Sequence, residues 1–257
     1  MDFKDLKKVY YDYDQNYFLD IKKYNESQKD DGDKLVCPLM LDDLTKYKNA
    51  KIKVMIFGQE TNGWADHEDG LSFYEDAEKR IDSFLDLYTG YMKVFHENKF
   101  RNGTPFNSEY VRIEEELAEI SGNQSGVLWN NLVKLTLKRK NTGRSFYNKL
   151  PAIKAASKLI KSELEYFKPN IILFYSGPNY DFVLKDKEIF PTVSFEKVEG
   201  FTERQFCKVN IEGVDLALRT YHPGYLSYLK RKSDFRIRVL NKIDELIKST
   251  VLKLNKN

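Results

Sequence analysis

Three polar positions in this chain stand where chemistry is usually done in an α/β sheet. Glu60 follows Gly58 by two residues, and Gly58 ends the apolar run of 54–57. A short, continuous apolar run with an abrupt end reads as a buried strand of a parallel sheet. Loops at the carboxyl ends of such strands form the ligand crevice, so a carboxylate there is placed for chemistry; a solvated loop residue is the plainer reading. His222 comes directly after an apolar segment and before Pro223-Gly224. An imidazole there either caps the strand or offers a proton donor that is neutral near physiological pH. Asn130 and Asn131 close the run Val127-Leu128-Trp129. Asparagine is unfavourable inside a buried strand, so either Asn130 caps the next element or one amide faces a ligand. Such an amide accepts through its carbonyl and donates through its NH2.

The elements needed to hold these residues follow from periodicity. Apolar residues at spacings of three and four predict an amphipathic helix over 3–24, broken near Asp14. A polar loop covers 25–34 and a short helix 38–47, before the strand at 52–57. Helices are predicted over 72–98, with an interruption at Thr89-Gly90, and over 107–120 with an acidic face. The cluster at 121–126 is a turn, and 138–149 is a basic loop. Pro151 opens a helix to Phe167, and a second buried strand at 171–175 runs into Ser176-Gly177-Pro178-Asn179. Short strands are expected at 193–198, 206–211 and 214–218, then a C-terminal helix from Asp234.

Composition narrows the class. The chain has 257 residues, 41% of them hydrophobic, enough for a real core in one α/β domain. Lys and Arg number 42 against 39 Asp and Glu, so a net charge of +3 does not itself call for nucleic acid, although a local basic groove can hide in a balanced total. Cys37 and Cys207 supply neither a disulfide framework nor a metal cluster, which suits a reducing, cytoplasmic setting. No apolar stretch reaches the length of a membrane span, and the first residues carry no signal-peptide core. His67 sits among Asp66, Glu68 and Asp69, read as a solvated acidic loop rather than a metal site; His96 reads as a helix-end dipole partner.

Four local patterns, in order, resemble the uracil-DNA glycosylase superfamily. Gly58-Gln59-Glu60 and Gly70-Leu71-Ser72-Phe73 resemble its first motif, with 13 positions from Glu60 to Phe73. The strand ending in Asn130-Asn131 resembles its base-reading element, with Asn131 the match and Asn130 the alternative. The strand before Gly177 and the run His222-Pro223-Gly224-Tyr225-Leu226-Ser227 resemble two further elements. The resemblance implies a single domain over 1–257, with a helical N-terminal segment to about residue 48. Its fold is three-layer α/β/α around a central, mainly parallel four-stranded sheet. The implied activity is hydrolysis of an N-glycosidic bond in DNA after base flipping. Glu60 then stabilises the cationic sugar and orients water, and neutral His222 stabilises the departing base. Gln59, Asn62, Phe73 and Asn131 bind the base; the Asn131 amide complements N3–H and O4 of uracil. Leu226 is the wedge in the base stack, and Ser227, Gly177, Lys230 and Arg231 contact DNA. Water is the co-substrate, no metal or organic cofactor is implied, and a monomer acting on DNA is expected. The implied role is DNA repair or DNA modification.

The departures are specific. Glu60 stands for Asp, Asn62 for the Tyr that shields the C5 edge, with Trp64 nearby, and Gly224-Tyr225 for Ser-Pro. A more open C5 side makes a C5-modified pyrimidine an expected substrate beside uracil. The longer carboxylate keeps a second reading in view: a nucleic-acid or nucleotide-binding protein that retains the pocket without turnover.

Overall fold

The computed structural model describes residues 1–28, 33–61, 76–96, 103–138, 143–229 and 234–256, with only the backbone of Phe95 and His96. Its centre is a six-stranded sheet. The strands are β1 (Ile52–Glu60), β2 (Ser125–Val133), β3 (Ile171–Phe174), β4 (Ser194–Lys197), β5 (Phe206–Asn210) and β6 (Leu216–Thr220), in the order β2-β1-β3-β6-β5-β4. The first four in that order are mutually parallel, and β5 and β4 extend the sheet antiparallel. The expected four-stranded parallel sheet is therefore the core of a larger mixed one. The hairpin β4–β5 adds the extra strands; β4 alternates weakly and is largely exposed, as an edge strand does.

Helices cover both faces. On one side α1 (Phe3–Ser27) lies against α6 (Pro151–Phe167), which packs on β2. On the other α4 (Pro105–Ser121) packs on β1 and β2 and touches α8 (Pro223–Leu229) and α9 (Phe235–Leu254). Between them in the chain stand α2 (Thr45–Lys48), α3 (Ala77–His96), α5 (Gly143–Lys149) and α7 (Asp181–Leu184). The boundaries have local causes. Thr104 caps α4 by accepting from the Asn107 N–H at 3.3 Å, Pro105 takes the first turn, and Gly122 ends it at φ 62°. Asp2 forms a capping box with Asp5 at the start of α1.

Three expectations are corrected by tertiary contacts. α1 is not broken at Asp14: that carboxylate is buried and bound by Arg80 of α3, Nε to Oδ1 at 2.8 Å. A charged residue at a core-facing position marks a buried ion pair here, not an interruption. α3 runs unbroken through Gly90, which faces open space while Tyr88 and Met92 are buried. The segment 38–47 has no regular structure before α2; Leu39 N–H and Val36 N–H bond to the carbonyls of Lys134 and Thr136 instead.

Beneath the sheet lies a closed polar network. Lys134 and Glu163 are fully buried, with Nζ 2.7 Å from both carboxylate oxygens. The Tyr10 hydroxyl and Asn130 Nδ2 both donate to Glu163 at 2.9 Å. Burial holds the Lys134 ammonium at about 8, below its ordinary value, against the pull of Glu163. Removing one partner strands a buried charge, whereas replacing both with apolar groups is close to neutral. Lys134→Met should therefore lower stability by about 3–5 kcal/mol, read as a fall in thermal midpoint. Lys134→Met with Glu163→Leu should recover most of it.

Candidate active site

All four parallel strands end at the same edge, and the sequence order reverses between β1 and β3. Such a switch point opens a crevice between the strand ends. Here it holds a cavity of about 400 Å³, lined from β1 by Gly58, Gln59 and Glu60, and from β2 by Trp129 and Asn131. Tyr180 reaches it from the loop after β3, and His222 from the loop after β6; Phe106 and Asn107 close it from α4 and Tyr91 from α3.

Glu60 is the last residue of β1, so its position is set by the sheet and not by a loop as the sequence suggested. Its Oε1 accepts from the Gly143 N–H at 3.0 Å and from the Tyr180 hydroxyl. Two donors on one oxygen fix the rotamer of a side chain longer by a methylene than Asp. Gln59 donates through Nε2 to the Ser176 carbonyl at 2.8 Å, tying the end of β1 to the loop after β3.

The two asparagines divide cleanly. Asn130 faces the network under the sheet, where its Oδ1 accepts from Lys134 Nζ and from the Asn131 N–H, each at 2.8 Å. Asn131 turns to the opposite face, is buried, and lines the cavity with its Nδ2 lacking any partner among the described residues. A buried amide donor without a partner is costly, and a ligand acceptor can satisfy it. Space for it comes from Gly58, paired with Asn131 across β1 and β2. A Cβ at Gly58 would lie 2.3 Å from Asn131 Oδ1.

His222 is partly buried, and burial lowers its pKa below 6.5. Its Nδ1 accepts from the Gly224 N–H at 3.1 Å, which assigns the proton of the neutral ring to Nε2. Phe106 stacks on the imidazole, with ring centroids 5.8 Å apart and planes 15° apart. The site therefore combines a held carboxylate, a neutral N–H donor and an unpartnered amide in one crevice.

Among the remaining expected residues, Leu226 faces inward on α8. It is 1% exposed and part of the hydrophobic core, so it cannot enter a base stack without unpacking α8. Ser227 is half-buried on α8. Gly177 adopts φ +69° and donates its N–H to the Thr220 carbonyl at 2.9 Å, joining the ends of β3 and β6. Asn62, Trp64, Phe73, Lys230 and Arg231 lie outside the described residues, as do His67 and its acidic neighbours. Sequence reasoning missed Tyr180 and Phe106. Tyr180 belongs to the loop already marked at the end of β3, but nothing in its spacing points at Glu60. Phe106 reads as an ordinary helix residue after Pro105. Trp129, whose ring lies 5.1 Å from that of Tyr91, looks like plain core in an apolar run.

Gly58→Ala tests the geometry. The clash falls on the tip of a side chain, so the fold should survive at a cost of about 1 kcal/mol, while the Asn131 amide is displaced. A displacement of about 1 Å is worth around 100-fold in a positioned site. Ligand turnover or base affinity should fall far more than the thermal midpoint.

Among the described residues, no helix is long and apolar enough to cross a membrane, and no group of three or more His, Cys, Asp and Glu could hold a metal ion. No curated protein matches the chain. The model of the uracil DNA glycosylase superfamily matches residues 45–244, a span that includes every residue lining the cavity. With more than half of its length matched, the chain belongs to the uracil DNA glycosylase superfamily, and with it to glycosylase-like function on a DNA substrate.

Proposed function

We propose that the protein is a monofunctional DNA glycosylase that removes uracil or a C5-modified pyrimidine. The target base leaves the stack and enters the crevice. The C1′–N1 bond breaks, and its electron pair goes to the base. Positive charge left on the sugar is met by the Glu60 carboxylate, which also orients the water whose oxygen joins C1′. The proton of that water leaves to solvent or to the base. His222 donates from Nε2 to the pyrimidine oxygen on which negative charge collects, a preorganised donor in a partly dehydrated site. Asn131 supplies the amide that reads the base edge, and Phe106 backs the imidazole.

One observation carries this reading: the buried, unpartnered Nδ2 of Asn131 shares a cavity with Glu60 and with His222, whose Nδ1 is already engaged. That is a donor set waiting for a carbonyl-bearing ring. The range of bases follows from Asn62, a smaller residue than the family's C5-shielding Tyr.

The test is abasic-site formation on single- and double-stranded oligonucleotides. They carry uracil, thymine, hydroxymethyluracil or hydroxymethylcytosine, the last plain and glucosylated. Excision of at least one base is expected, reduced about 100- to 1,000-fold in His222→Ala and strongly in Glu60→Gln. No excision of any base, with DNA binding intact, supports a binding protein without turnover. Refusal of every 5-substituted base while uracil is cut would remove the open C5 side. The pH profile has a defined sign. Burial lowers the His222 pKa, so the ring stays neutral to a lower pH than a free imidazole. Its titration should therefore leave excision flat at neutral pH and above, and inflect only on the acid side. Below 6.5 the unfolded chain takes up a proton that folded His222 refuses, so this group also makes stability fall with acid.

A further inference from the structure

Helix α8, which follows the pocket residue His222 in the chain, carries an aromatic surface that the chemistry above does not use. Tyr225 and Tyr228 are 48% and 54% exposed, although both lie within six residues of His222. Their rings are near-parallel, at 29° with centroids 6.3 Å apart. Tyr225 also meets Tyr221 edge-on at 4.9 Å, and its N–H bonds to the His222 carbonyl at 2.9 Å. The aromatic surface is thus fixed to the backbone of a pocket residue and continues outward from it. Between the two rings in sequence, Leu226 points into the core.

We infer that Tyr225 and Tyr228 form a stacking platform for unpaired bases beside the target nucleotide, and that the substrate is single-stranded DNA. The substrate part rests on the glycosylase reading; the platform itself is a binding surface and does not. Opening a duplex calls for an apolar wedge that replaces the missing base, and Leu226, which the motif places for this, is buried here. Exposed, paired aromatic faces are instead the feature that holds single strands, because every base has a π-face to stack. Tyr suits the role, since its ring is apolar and its hydroxyl keeps the surface soluble. A single strand also escapes the cost of unpairing that base flipping from a duplex requires.

The experiment measures anisotropy of a labelled, unmodified oligonucleotide, single-stranded and as duplex, at one salt concentration. Excision from both forms is measured in parallel. Wild type should bind the single strand more tightly than the duplex. Tyr225→Ala with Tyr228→Ala should lose about tenfold or more of single-strand affinity, while duplex binding changes little. Tyr225→Phe with Tyr228→Phe should keep it, which separates stacking from loss of fold. Single-strand binding that depends on the rings, with no excision of any base, keeps the platform and removes the glycosylase reading. Excision at equal rates on both forms, unchanged by the alanines, removes the platform and keeps the glycosylase. Binding of neither form overturns the platform in favour of a protein contact at this surface.

Discussion

Successive side chains on a strand face opposite sides of the sheet, and the site depends on that alternation at Asn130 and Asn131. Asn130 is held from below by Lys134 and Glu163, the buried pair whose desolvation costs several kcal/mol per ion. Hydrogen bonds to Asn130 and Tyr10 satisfy much of that pair's remaining capacity. A slip of one residue in β2 would bring Asn131 to the ion pair and Asn130 to the crevice, reversing every other side chain of the strand as well. The ion pair is thus a poor source of net stability and a strong determinant of register. Through it, the direction of one amide is coupled to α1, α6 and β2 together.

Above the sheet the crevice holds a carboxylate and an imidazole. Glu60 receives an N–H from Gly143 and an O–H from Tyr180, which fix its side chain. His222 receives an N–H at Nδ1, and such a bond favours the unprotonated nitrogen, in the same direction as burial. Backbone amides from two loops therefore hold the two side chains in place. Each amide is fixed by the start of a helix, α5 for Gly143 and α8 for Gly224. The pocket accordingly needs the loops after β2 and β6 folded as much as it needs the sheet.

The parallel core and the meeting of Glu60, Asn131 and His222 in one crevice were legible because strand ends, turn residues and motif order agree on them. The helix at 151–167 was legible for the same reason: Pro151 and a regular apolar stripe say one thing. What failed did so where a distant partner overrode a local signal. Asp14 looks like a helix interruption until Arg80, far away in sequence, is set against it. Gly90 looks like a break until its buried neighbours are seen to carry the helix past it. Tyr180 is invisible because its partner is Glu60, 120 residues earlier. Choosing between Asn130 and Asn131 needed the strand's face, which spacing alone does not give.

The burial of Leu226 and the exposure of its two tyrosine neighbours share one cause. That cause is local backbone geometry: the Tyr225 N–H bonds to the His222 carbonyl at 2.9 Å, and the Leu226 N–H reaches the same carbonyl at 3.1 Å. Those two bonds close a helical turn, and α8 starts at Pro223. Once the segment is helical, positions three apart share a face. Tyr225 and Tyr228 then fall on the outside together, and Pro223 and Leu226, also three apart, fall on the inside, both buried. The turn that buries the aliphatic side chain therefore also presents the aromatic pair, directly after the histidine.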